Sequence, residues 1–249
     1  AGWECPRGRR PADFDNAWYD SWSDPHALFQ ELTPMVSASD LPLVLAAAEL
    51  AHAAHRPQTR DGGEPYLTHC LRVARSVADV LADAPPALYE PYTLGEVAAA
   101  ALCHDVIEDA QPRAVWDAAV RTRLGDRVHG LVVQLTNPSA ALPREAPAAD
   151  KIALDCAHFA DPERFEAVAR VIKLLDGTDN LSDLGGWGKK QILKYADKCS
   201  FKCAVLRDGL LASARYRQVG PAAMDRVFDP LFADYARAVA AARCRAVEL

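Results

Sequence analysis

From residue 38 onward the apolar positions recur at helical spacing, and no convincing period-two alternation breaks the pattern. Asp40 stands where an N-cap is expected, ahead of an Ala/Leu-rich helix from Leu41 to His55 that stops before Pro57. Residues 56 to 65 read as a polar Gly/Pro loop. A second helix follows from Tyr66 to Leu81, with Leu71, Val73, Val77 and Val80 among its apolar positions. Thr93 and Glu96 have capping-box spacing and open what reads as one buried helix running to Ala110. Further helices are predicted over 111–123 and 126–136, separated at Leu124-Gly125 and ended by Asn137-Pro138.

Asp161 and Pro162 have the form of a cap and a first-turn proline, which predicts a helix through Phe165, Val168, Val171, Ile172 and Leu175. That helix carries Asp176 and Asn180 near its end. After the break at Gly185-Gly186-Trp187-Gly188, two helices span about 190–213 and 221–243. Residues 1–37 are irregular, with four prolines, and their Trp3, Trp18 and Trp22 suggest a segment packed onto the domain. The expected architecture is therefore all-α, an N-terminal extension (1–37) followed by one helical domain (38–249).

A chain of 249 residues, half of them hydrophobic and a quarter charged, suits one globular domain with a sizeable core. Its net charge of −6 argues against a general nucleic-acid or membrane-surface binder, while leaving room for a small anion held by local Arg and Lys. Seven scattered cysteines without a CxxC pair point to reduced thiols. Neither a leader pattern nor an apolar run of membrane-spanning length is visible, and the expected location is cytoplasmic.

The central predicted helix sets the chemistry. It places His104, Asp105, Glu108 and Asp109 among Ala, Leu, Val and Ile. Ionised groups in such surroundings cost several kcal/mol each unless they are paired or bound to a metal. The bland alternative is a set of partly exposed helix-end charges. The sharper reading adds His69, just after the polar loop, and Asp176, on another apolar helix. Two imidazoles and two carboxylates suit Mn²⁺ or a similar divalent ion such as Fe²⁺, Co²⁺ or Zn²⁺; structural zinc more typically recruits thiolates. Cys70 and Cys103 adjoin the two histidines, but successive helical residues point about 100° apart, so they read as core residues. Glu108 and Asp109, one turn further on, could orient or deprotonate a water.

Four segments carry a family resemblance. Arg60-Asp61-Gly62-Gly63-Glu64-Pro65-Tyr66-Leu67-Thr68-His69 resembles the Arg-x-x-Gly-Glu-Pro-Tyr-x-x-His segment of the RelA/SpoT hydrolase domain, within the HD phosphohydrolase superfamily. Leu102-Cys103-His104-Asp105-Val106-Ile107-Glu108-Asp109 resembles its central Leu-x-His-Asp-x-x-Glu-Asp motif. Supporting matches begin at Leu124-Gly125 and at Lys173-Leu174-Leu175-Asp176. The stretch is similar to the small stand-alone alarmone hydrolases and covers roughly residues 45–215.

The resemblance implies an HD-domain helical bundle that uses a divalent ion to remove the 3′-pyrophosphate of guanosine tetra- or pentaphosphate. It implies His69, His104, Asp105 and Asp176 as metal ligands and Glu108 and Asp109 as the acids acting on water. Arg60 is expected against the purine ring, Asn180 near the ribose or base, and Tyr195 as a further substrate contact. Asp61, Gly177 and Asp179 depart from the family pattern, which has basic residues there. They read as charge lost near the nucleotide. That keeps open the same chemistry on another nucleotide, such as an adenine alarmone, the NADPH 2′-phosphate or a nucleoside monophosphate. A non-catalytic nucleotide sensor is the distant alternative.

Overall fold

The structure, a computed structural model, describes residues 32–249. The expected packing of Trp3, Trp18 and Trp22 therefore lies outside the described residues. All regular structure in the described residues is helical apart from one isolated bridge, Thr59 to Pro65, which pinches the polar loop. Leu32 is buried, and the 3-10 turn Thr33–Met35 leads from it toward the first helix.

Helix α1 (Leu41–His55) and helix α2 (Tyr66–Ala82) flank helix α3 (Leu94–Leu102). The last helix is short and almost wholly Ala, Val and Leu, and every residue from Val97 to Leu102 has zero exposure. Small side chains let its neighbours approach on all sides, which places this segment at the centre of the packing. Its start is fixed as the sequence predicts: Glu96 N–H donates to Thr93 Oγ1 at 3.1 Å, and Thr93 N–H donates to Glu96 Oε2 at 2.8 Å. Asp40 does occupy the N-cap of α1, but its side chain makes no capping bond.

The expected single helix to Ala110 is in fact two. Helix α3 ends at Leu102, Cys103 to Asp105 form a turn, and helix α4 (Val106–Asp109) restarts with Asp105 at its N-cap. His104 and Asp105 are thereby turned out of the helical face and can reach residues on other elements.

Helix α5 (Arg113–Leu135) is broken into two stretches at Gly125, where the sequence predicts a separation; its φ of 84° is one that only glycine adopts without strain. Helix α6 (Ala148–Ala160) was not anticipated. The following helix, α7 (Ala167–Ser182), begins later than the Asp161-Pro162 signal suggested. Asp161 Oδ1 accepts the N–H groups of Glu163 and Arg164, closing a local turn rather than capping the helix. Helices α8 (Lys189–Ala212), α9 (Ala214–Val219) and α10 (Pro221–Glu248) complete the fold, with α10 packed on α7 and α8. Among the described residues no helix is long and apolar enough to cross a membrane.

One buried cation ties α6, α7 and α8 together. The Arg170 guanidinium, with no carboxylate bonded to it, donates to the carbonyls of Phe159, Leu206, Asp161 and Phe165. Burial pushes its pKa down to about 10. Arg170→Met keeps most of the stem but removes the guanidinium donors from those carbonyls. It should lower the unfolding free energy by about 3 kcal/mol in urea denaturation; a change below about 1 kcal/mol, the net worth of one ordinary hydrogen bond, would show that the carbonyls find other donors.

Candidate metal centre

His69 is supplied by the first turn of α2, His104 and Asp105 by the turn between α3 and α4, and Asp176 by the middle of α7. One ligand atom from each of the four lies within 4.8 Å of all the others, and all four residues are buried. Both imidazoles turn Nε2 inward. The two nitrogens are 3.1 Å apart; His104 Nε2 is 2.9 Å from Asp105 Oδ2, and His69 Nε2 is 3.4 Å from Asp176 Oδ1.

The outer nitrogens are already taken. His104 Nδ1 lies 2.7 Å from the Ala101 carbonyl, which can only accept, so Nδ1 carries the hydrogen. His69 Nδ1 lies 2.7 Å from Asp179 Oδ2, and hydrogen bonds with burial-opposing charge partners hold that carboxyl down at about 2. Each neutral ring then presents a lone pair at Nε2. Two lone pairs facing each other across 3.1 Å, with two carboxylates beside them, require a cation or protons between them. Without an ion the rings draw protons: burial works against the charge, yet the carboxylates push His69 up to about 10 and His104 up to about 9. An N₂O₂ set with its outer nitrogens fixed fits a divalent ion.

Asp105 and Asp176 stay ionised. Burial opposes this, but His104 beside Asp105 and Lys173 beside Asp176 hold both carboxyls well below the usual range. Lys173, itself buried, places Nζ 3.2 Å from Asp176 Oδ2.

Two adjoining cavities lie beside this cluster, and the inner one reaches Asp105 and Asp176. The inner one, about 130 Å³, is lined by four carboxylates, Asp105, Glu108, Asp109 and Asp176, and by three lysines, Lys173, Lys198 and Lys202. The outer one, about 280 Å³, includes Arg60, Asp61, Asn180, Trp187 and Tyr195. Tyr66, Asn180 and Tyr195 line both.

Within them the expected site residues are held as follows. Glu108 accepts from the backbone and side-chain amides of Asn137, at 2.8 and 2.6 Å. Asp109 accepts from the Tyr66 hydroxyl at 3.0 Å, and that hydroxyl also lies 2.7 Å from Asp105 Oδ2. Burial, with Asp105 and Glu108 nearby, pushes Asp109 up to about 6. Arg60 donates to Asp183 and to Asn180 Oδ1, each at 2.8 Å, which fixes the plane of its guanidinium. Asn180 in turn donates to Asp176 Oδ1, so one amide joins the outer cavity to the metal cluster. Tyr195 packs edge-on against Trp187 with ring centres 5.3 Å apart.

Two departures from the family pattern need a different explanation from the one the sequence suggested. Asp179 does not project into either cavity; it orients His69 and is clamped by Arg72 Nε and Nη2 at 2.6 and 2.9 Å. Gly177 is required by packing, since a Cβ there would come within 2.4 Å of the Tyr235 ring. Asp61 does line the outer cavity, where it accepts from the Trp187 indole. Tyr66, Asp179, Lys198 and Lys202 were not singled out as site residues. Tyr66 had a usable signal, three residues before His69 on the same helical face.

A profile of known families matches residues 47–152 to the HD domain. The chain is 30% identical over 141 residues to probable GTP diphosphokinase RSH3, chloroplastic, of Arabidopsis thaliana. It is 34% identical over 88 residues to putative GTP diphosphokinase RSH1, chloroplastic, of Oryza sativa subsp. japonica. These matches take in 57% and 34% of this chain but only 18% and 9% of those proteins. Among solved structures, a metazoan orthologue of SpoT, described as hydrolysing ppGpp and acting in starvation responses, superimposes with a TM-score of 0.53 at 24% identity. That match covers 78% of this chain and 96% of the orthologue, and it shows a shared fold.

If Asp179 orients His69, Asp179→Ala should weaken divalent-metal affinity about 10- to 100-fold without unfolding the chain. Titration of the metal-free protein measures this. Unchanged affinity would mean that the Asp179 bond is incidental.

Proposed function

We propose that this HD domain is a metal-dependent phosphohydrolase that removes the 3′-pyrophosphate of guanosine tetra- and pentaphosphate. The observation that carries the reading is the continuity of three parts: a buried His₂Asp₂ cluster, a chamber beside it lined in part by three lysines, and an outer cleft with Arg60, Trp187 and Tyr195. Similarity to the SpoT orthologue and to the two plant diphosphokinases supports the choice of a guanosine polyphosphate.

In this reading His69, His104, Asp105 and Asp176 hold the ion, and Mn²⁺ suits the mixed imidazole and carboxylate set. When bound, the ion supplies Lewis-acid charge at the phosphoryl oxygens and makes water more acidic. The residues do the rest. Asp109, poised at about 6, takes the proton of the attacking water near neutral pH. Glu108, anchored on Asn137, orients that water, and Tyr66 keeps Asp105 and Asp109 in fixed relation. Water oxygen bonds to the phosphorus next to the ribose, the bond from that phosphorus to O3′ breaks, and O3′ leaves as a hydroxyl with the transferred proton. Arg60, held flat by Asp183 and Asn180, offers its face to the base. Asn180 and Tyr195, which line both cavities, lie along the ribose.

Asp61 favours a second reading, the same chemistry on another nucleotide. Its carboxylate stands in the outer cleft beside Arg60, so the base edge meets an acceptor there as well as a guanidinium. Candidates are an adenine alarmone, the NADPH 2′-phosphate and a nucleoside monophosphate. A panel of these with Mn²⁺ separates the readings: guanosine tetraphosphate should be the preferred substrate and yield pyrophosphate, whereas preferred release of pyrophosphate from the adenine alarmone, or of orthophosphate from the other two, would favour the second.

Asp105→Ala should lose both metal and turnover, and a fully active variant would remove the metal assignment. Asp109→Asn should keep its metal content and lose about 10²- to 10⁴-fold in kcat. Because the Asp109 pKa is raised, its base form is lost as pH falls through about 6. The acid limb of kcat should therefore drop about tenfold per pH unit below that point; a flat profile down to pH 5 would assign the base elsewhere.

A further inference from the structure

The inner chamber presents an electrostatic problem. Four carboxylates line it, and a polyphosphate must enter it. A divalent ion together with Lys173 leaves the lining net negative, and Lys173 is buried and committed to Asp176 at 3.2 Å. The sign is reversed by two residues of α8. Lys198 and Lys202 stand four apart on one helical face, along with Tyr195 and Cys199, and all four line the chamber.

Lys202 is three-quarters or more withdrawn from solvent, its side chain 16% exposed, yet its charge is not spent. Asp176 Oδ2 is 3.9 Å away, beyond hydrogen-bond reach, and the Phe159 ring lies 5.2 Å from the ammonium. A largely desolvated ammonium with free N–H donors at a cavity wall is arranged to receive an anion. Lys198 is exposed and lines the same cavity, which places it at the outer edge. About 6 Å of helix rise separates the two positions, a spacing suited to linked phosphoryl groups rather than to one.

We propose that Lys198 and Lys202 form a seat for the distal phosphoryl group of the substrate, and hence for the departing pyrophosphate. The inference rests on the phosphohydrolase reading of the same site and adds its selectivity: the centre prefers a pyrophosphoryl ester to a monophosphoryl one.

The test uses the full chain loaded with Mn²⁺ and titrated calorimetrically with inorganic pyrophosphate and, separately, with orthophosphate. The unsubstituted protein should bind pyrophosphate the more tightly. Lys198→Met and Lys202→Met should each weaken pyrophosphate about tenfold, the worth of one charge-assisted bond, with little change for orthophosphate. Lys202→Arg should restore most of the affinity. Manganese content and thermal midpoint are measured in parallel, since a merely structural Lys202 would lower those instead.

Equal pyrophosphate affinity in the unsubstituted protein and the Lys198→Met/Lys202→Met double variant would overturn the seat. So would a loss of affinity in Lys202→Met that tracks lost manganese. Binding is read without turnover, so the two readings fail separately. Lysine-dependent pyrophosphate binding in a protein that hydrolyses no nucleotide supports the seat and removes only the activity.

Discussion

The structure depends on one unfavourable contact, two imidazole nitrogens 3.1 Å apart in a buried space that also holds two carboxylates. Nothing in an apolar core tolerates that arrangement unless positive charge sits in its centre. The surrounding helices can be understood as meeting this constraint. Helix α3 is built from small residues and stops one turn early, so that His104 and Asp105 leave it in a turn rather than in a rigid helical face. Helix α2 brings His69 in its first turn, and α7 brings Asp176 from its interior. The supports around the cluster are strong ones: a backbone carbonyl behind His104, an Arg-clamped carboxylate behind His69, and a buried lysine behind Asp176.

Both signs of charge line one chamber: Asp105, Glu108 and Asp109 from α4 and the turn before it, and Lys173, Lys198 and Lys202 from α7 and α8, with Asp176 of α7 among the lysines. Asn180 connects the two cavities mechanically, since it touches Asp176 and Arg60 at once. A shift of the Arg60 guanidinium is thus one side chain away from the cluster itself.

Much of this was legible in the chain. The all-helical class, the capping box at Thr93 and the kink at Gly125 followed from local rules. The His69, His104-Asp105 and Asp176 set stood out because polar groups interrupted apolar runs. Other features depended on distances no local pattern carries. The break at Cys103 was invisible because Ala-rich sequence favours continuing the helix, and α6 lacked a clear start signal. Asp179 looked like charge lost beside a nucleotide, whereas its partner is Arg72, over 100 positions away in the chain. Gly177 looked like a missing side chain, and Tyr235 of the last helix is what excludes one. Lys198 and Lys202 sit on a helix whose many charges look uniformly solvated until α7 is placed against it.

The central claim is that the cluster is completed by a divalent ion, and ligand-linked stability measures it most directly. The metal-free chain should gain about 2.7 kcal/mol of stability at a Mn²⁺ concentration a hundred times the dissociation constant. The thermal midpoint should rise as Mn²⁺ is added and fall again with chelator, and His104→Ala should abolish the response. A midpoint indifferent to Mn²⁺ and other divalent ions, in a folded protein, would contradict the account.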